Sequence, residues 1–101
     1  MADIVDDPAD QRLHVELDGR TAELFYEVED GALLILHTEV PSELEGHGIG
    51  GSLVRAALER ARRDGLTVVP WCPFARRWMH GHADAIEGID VDWKRPPPTS
   101  S

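Results

Sequence analysis

The first forty residues alternate. Leu13, Val15 and Leu17 are separated by His14 and Glu16, the two-residue period of a half-buried strand. Asp18-Gly19 follows, a dipeptide suited to the tight turn of a hairpin. Ala22, Leu24, Tyr26 and Val28 then alternate with Glu23, Phe25 and Glu27, and Asp30-Gly31 repeats the turn signal. Ala32–Val40 (ALLILHTEV) opens with five apolar residues in a row, as expected of a central strand covered on both faces. The pattern predicts a three-stranded antiparallel meander.

After Pro41 the period changes. A short polar loop, Ser42-Glu43-Leu44-Glu45, leads into Gly46-His47-Gly48-Ile49-Gly50-Gly51. From there Ile49, Leu53, Ala57 and Ala61 recur every four residues, with Val54 and Leu58 widening the stripe. Arg55, Glu59, Arg62 and Arg63 take the other face, so the segment reads as an amphipathic helix. Asp64-Gly65 ends it, glycine being the usual left-handed cap. Leu66–Trp71 is a short β-rich run. A helix between two strands makes a βαβ unit, which predicts that this run lies parallel to Leu33–Val40 through a right-handed crossover. Pro70 marks it as an edge strand or a bulged one. Cys72-Pro73 opens a second helix, with Phe74 and Trp78 on one face and an end near Gly81. Ile89, Val91 and Trp93 alternate, the pattern of one more short strand.

The expected fold is therefore α/β, with a mixed sheet: an antiparallel meander, then a βαβ unit and a second short helix. Residues 11–93 form the one folded domain. Residues 1–10 (MADIVDDPAD) are acidic and aperiodic and read as a loose arm. Residues 94–101 (KRPPPTSS) read as a disordered tail, because three prolines block helix and ladder alike.

Composition narrows the function. A chain of 101 residues suits one core, not separate cofactor and substrate domains. One cysteine excludes an intramolecular disulfide framework and a multi-thiolate zinc site, and fits a reducing, cytoplasmic setting. The longest apolar run, Ala32–Leu36, is far below the roughly 20 residues that span a bilayer. A net charge of −9 argues against general nucleic-acid binding. The charge is uneven: residues 1–45 hold 13 acids against Arg12 and Arg20, whereas residues 46–101 hold 8 bases and 6 acids. The acidic half suits a cationic partner and the other half an anionic one; solvated faces are the plainer reading.

Three features carry candidate chemistry. The glycine turn joins the end of a central strand to a helix N-terminus, where backbone N–H groups and the helix dipole favour an anion. It lacks the Gly-Lys-Ser/Thr ending of a P-loop and the distal acid of a dinucleotide turn. A ligand-free turn is the competing reading. Cys72 stands at a strand end and a helix start, a position that favours the thiolate; a buried, inert thiol is its alternative. His37 lies near the end of the neighbouring strand, so the two could pair as nucleophile and base if the register allows; otherwise it is a structural histidine. His47, His80 and His82 read as loop or helix-surface residues, and His80 and His82, two apart, do not share a helix face, so no metal site is expected.

Taken together, His37-Thr38-Glu39-Val40-Pro41, Gly46-His47-Gly48-Ile49-Gly50 and Leu66-Thr67-Val68-Val69-Pro70-Trp71-Cys72-Pro73-Phe74 resemble the GNAT acetyltransferase superfamily, and within it the short YjdJ-type branch. The resemblance implies an acetyl-CoA site. Gly48 and Gly50 match the small positions of the pyrophosphate loop, with Gly46, His47, Ile49 and Gly51 supplying adjoining backbone. Thr38, Glu39 and Val40 would pair with the pantetheine arm. Cys72 and His37 would be the candidates for acyl acceptance or proton transfer. Glu45 stands where the superfamily pattern has Gln or Arg, and the helix after Cys72 carries Phe74 and Trp78 but no tyrosine.

The function expected on this resemblance is acetyl-CoA-dependent N-acetyl transfer to an unidentified amine, a cationic one on the acidic half's account. Two routes are open, direct attack by the amine or a Cys72 acetyl-thioester. The alternative class is a non-catalytic acetyl-CoA-binding or protein-interaction module; a third reading is a small domain with an empty turn. The expected partners are acetyl-CoA and the amine, with no nucleic acid, membrane or metal, and the chain is expected to be a monomer or weak dimer.

Overall fold

The computed structural model describes residues 3–97. Among the described residues five strands run in the order β1 (Val5–Asp7), β2 (Arg12–Leu17), β3 (Arg20–Glu29), β4 (Ala32–Glu39) and β5 (Thr67–Pro70), each beside the next in one sheet. The first four are antiparallel, and β5 is parallel to β4. A single 3-10 turn (Ser42–Leu44) precedes helix α1 (Ile49–Asp64), which forms the crossover between β4 and β5; α2 (Pro73–His80) and the one-turn α3 (Ala83–Ile86) follow.

The two hairpins form where the Asp-Gly pairs predict them. Asp18 and Asp30 take φ of 52° and 49°, with the following glycines also positive, as a two-residue turn matched to strand twist requires. Helix α1 packs its Leu53, Val54, Ala57, Leu58 and Ala61 stripe onto Leu13, Val15, Leu24, Leu33 and Ile35 of the sheet, and α2 adds Ala75 and Met79. This face is the core.

Of three expectations, two are corrected. The stretch read as a loose acidic arm contains β1, which pairs with β2 through Val5–His14, Asp6–Leu13 and Asp7–Arg12. Asp6 is held there by side chains: Arg60 donates to its carboxylate at 2.7 Å and to the Tyr26 hydroxyl at 2.9 Å, and Tyr26 in turn donates to Asp6. A period-based reading misses a three-residue strand whose anchor lies more than fifty residues away. The second is met: the start of β4 is buried on both faces, by the helices on one and, over Ala32, Leu34 and Val69, by Leu36 and Trp71 on the other. Third, the Ile89–Trp93 alternation yields a single bridge, Val91 to Val68, rather than a strand. Apart from that bridge β5 is the outermost strand on its side, the first of the two readings of Pro70. Of the expected tail, residues 94–97 form no regular element, and residues 98–101 lie outside the described residues.

The feature that positions the site is a bulge. Tyr26 pairs with Ile35, but Phe25 pairs with His37, so Leu36 has no partner across the ladder. One extra residue reverses the facing of all that follows. Thr38, opposite Leu24, therefore turns toward the helices, and His37, opposite Phe25, turns to the open face.

Candidate functional site

The parallel strands part after Ile35. Pairing runs from Ala32–Thr67 to Ile35–Pro70 and stops. The Ile35 carbonyl accepts from both Trp71 N–H and Cys72 N–H at 3.0 Å, which closes the strand pair and swings the chain into α2. Beyond that point Thr38 and Val40 border a gap instead of a neighbouring strand.

The gap opens into a cleft of about 490 Å³, lined by Thr38, Val40, Leu44, Glu45, Gly46, Gly48, Ile49, Gly50, Gly51, Phe74 and Trp78. Its floor is the start of α1. The residue preceding that helix, Gly48, sits at φ 74°, in the left-handed region open to glycine at little cost. No side chain caps α1, and Ser52 Oγ turns back to the Gly48 carbonyl instead. The first-turn N–H groups thus stay available to an acceptor brought from outside, at the positive end of a 16-residue helix.

Gly50 and Gly51 serve a different purpose. A Cβ on Gly50 would meet the Phe74 ring at 2.8 Å, and one on Gly51 would meet Trp78 Nε1 at 2.3 Å. Only bare backbone lets α2 bring its two aromatics against α1. Trp78 is held from its other contacts by a stack on His82, ring centroids 3.9 Å apart, and by Arg55, whose guanidinium carbon lies 5.2 Å from the ring centre. The aromatic wall is built rigidly.

Of the cofactor-binding positions expected from the sequence, Thr38, Val40, Gly46, Gly48, Ile49, Gly50 and Gly51 line the cleft. Glu39 and His47 do not. Glu39 is exposed on the far side of its strand, where its carboxylate lies 3.4 Å from His37 Nε2. His47 lines a separate cavity.

The structure does not bring His37 and Cys72 together. His37 is exposed and stacks on Phe25 across the open face. Cys72 is 2% exposed within the core on the helix side, and its Sγ lies 3.6 Å from Thr38 Oγ1. The thiol stands one side chain behind the cleft wall. The bulge at Leu36 is the cause; a regular strand would have turned His37 to the helix side.

Sequence reasoning missed Leu44, Phe74 and Trp78 as cleft residues. A signal was there: two adjacent glycines in a helix's first turn, and an i, i+4 aromatic pair on the next helix, are complementary shapes. Among the described residues no group of three or more His, Cys, Asp or Glu side chains is arranged to hold a metal ion, and no helix is long and apolar enough to cross a membrane.

This geometry has relatives. The family model described as GCN5-related N-acetyl-transferase matches residues 12–88. A solution NMR structure from Staphylococcus aureus, described as a "GCN5-like putative N-acetyltransferase", is similar with a TM-score of 0.69 and 25% sequence identity, over 91% of each chain. No curated protein matches the chain.

Proposed function

The chain belongs to the GCN5-related N-acetyltransferase family, and so among the acyltransferases; we propose that it moves the acetyl group of acetyl-CoA to a primary amine, as a member of the short YjdJ-type branch. The observation that carries this reading is the uncapped N-terminus of α1 opening onto a cleft at the point where β4 and β5 part. In the proposal the first-turn N–H groups of α1 receive the diphosphate, and the stretch Thr38–Val40, which has no partner on its β5 side, runs beside the pantetheine arm. Glu45 lines the same cleft, but it is exposed, so its carboxylate is free to turn to solvent.

The chemistry requires little of the protein. The neutral amine nitrogen attacks the thioester carbonyl carbon, the C–S bond breaks, and CoA leaves as thiolate. The extra proton on nitrogen passes to water or to that thiolate. Backbone N–H groups stabilise the oxyanion. The burial of Cys72 behind Thr38 favours this direct route over an acetyl-cysteine intermediate. His37, on the opposite face from Cys72, does not activate the thiol; its role in the proposal is to take the proton that an ammonium acceptor sheds on the open face to become the neutral amine before attack, with Glu39 beside it.

The test is an amide NMR titration with acetyl-CoA, run alongside release of free CoA in the presence of a polyamine. The reading expects shifts at Thr38–Ser52, Phe74 and Trp78, amine-dependent CoA release, and retention of both in Cys72→Ala. Amides of the glycine turn that stay still at millimolar acetyl-CoA would sink the cofactor assignment. Loss of turnover with intact binding in Cys72→Ala would replace direct attack by the covalent route.

A further inference from the structure

The ten lysine and arginine side chains divide into two groups. Arg12, Arg20, Arg60, Arg62, Arg63 and Arg95 each pair with a carboxylate. Arg55, Arg76, Arg77 and Lys94 pair with none among the described residues. Acids outnumber bases 19 to 10, so an unpaired cation is the exception in this chain, and all four gather around α2. This helix turns Ala75 and Met79 to the core and leaves Arg76, Arg77 and His80 exposed. Trp93, from the C-terminal segment, lies along the exposed side. Its ring stacks on His80 with centroids 4.1 Å apart, and the Arg76 guanidinium carbon lies 5.6 Å from its centre. Lys94 follows and is exposed. On the α1 side of the helix, Arg55 lies over Trp78.

Nearby acids do not neutralise these cations. Asp92 accepts from the Lys94 and Arg95 backbone N–H groups, both at 3.1 Å, and lies 3.3 Å from Arg95 Nε. Glu59, one turn beyond Arg55, pairs with Arg62. Asp84, in α3, is exposed and pairs with none of the four. A guanidinium resting on an indole keeps its edge N–H groups for a planar acceptor, and the stacking positions it beforehand. Such a face suits carboxylates. Its size decides between a peptide and a nucleic acid. An eight-residue helix is about 12 Å long, the span of about four extended residues. A long polyanion would run past that span along a chain whose net charge is −9, whereas a short acidic stretch ends with the basic face.

We propose that this face docks a short acidic segment of a partner protein, its carboxylates on Arg76, Arg77 and Lys94 and its backbone along Trp93. The site is distinct from the cleft, which lies on the Phe74 and Trp78 side of α2, and it stands independently of the function proposed above.

The probe is a fluorescein-labelled peptide of alternating glycine and glutamate, titrated with the full chain in excess CoA and followed by anisotropy. The same peptide with glutamine for glutamate, and a short oligothymidylate, serve as comparisons. The glutamate peptide is expected to bind, more weakly as salt rises, with amide shifts at Arg76, Arg77 and His80 and movement of the Trp93 indole signal. The glutamine peptide is expected not to bind, and the oligothymidylate to bind several-fold more weakly. Arg76→Gln, Arg77→Gln and Lys94→Gln should each weaken the glutamate peptide about threefold, the worth of an exposed charge pair, and the triple variant about thirtyfold. Arg20→Gln and Arg63→Gln remove the same charge elsewhere and should change little. Equal loss in those two variants would reduce the effect to net charge. That result, equal binding of the glutamine peptide, tighter binding of the oligothymidylate, or binding seen only without CoA would overturn the proposal.

Discussion

Gly51→Ala tests how the cleft is built. The new Cβ would lie 2.3 Å from Trp78 Nε1. Ordinary contact needs about 3.4 Å or more, so the indole must retreat by roughly 1 Å. It is pinned by the His82 stack and by Arg55, and overpacking of this kind costs about 1–3 kcal/mol. Against that, alanine in place of glycine favours the helix by about 1 kcal/mol. The net expectation is a destabilisation of about 0–2 kcal/mol. In a domain of this size that lowers Tm by up to roughly 10 °C. The decisive measurement is a double-mutant cycle by urea denaturation. In a Trp78→Leu background the clash is gone and only the helix preference remains, so Gly51→Ala should become stabilising by up to about 1 kcal/mol. A coupling of at least about 1 kcal/mol between the two positions is expected. If Gly51→Ala had the same effect in both backgrounds, the close approach of α1 and α2 would not be the reason for glycine, and the account of the aromatic wall would be wrong.

Three further outcomes are expected. Burial, and then the hydrogen bond to Asp6, raise the Tyr26 phenol above its ordinary value of 10.0 despite the opposing pull of Arg60. The folded state thus favours the protonated phenol: this contribution to stability is full below pH 10 and is lost as pH rises through the folded value. Tyr26 is the sole tyrosine, so absorbance near 295 nm reports it directly, and a midpoint below 10 would show that Arg60 dominates instead. Leu53→Ala removes a fully buried side chain facing the sheet and should cost about 2–5 kcal/mol in urea denaturation; a cost under about 1 kcal/mol would mean that α1 does not pack as described. Cys72 should react slowly with a thiol-specific disulfide reagent and markedly faster in Thr38→Ala, which uncovers the thiol from the cleft side. Equal rates in the two proteins would place the thiol elsewhere than behind Thr38.

The sequence alone determined whatever depends on neighbours along the chain. Alternation in Leu13–Leu17 and Ala22–Val28 set two strands and their core faces; Asp18-Gly19 and Asp30-Gly31 set two hairpins; and the Ile49–Ala61 stripe with Gly65 set the length and buried face of α1. Each of these signals lies within about one turn or one hairpin of the residues it controls. The glycine turn was legible for the same reason, because a strand end, a turn and a helix start are consecutive in the chain. Tertiary structure decided the rest. The bulge at Leu36 is a property of the β3–β4 ladder, and it alone sends Thr38 toward Cys72 while turning His37 away. The strand at Val5–Asp7 exists because Arg60 and Tyr26 fasten Asp6, and the aromatic wall exists because α2 returns to two bare glycines on α1. A periodic pattern fixes which side of its own element a residue takes, but one unpaired residue reverses that side without altering the composition. Which side chains meet across elements is settled only when the core closes.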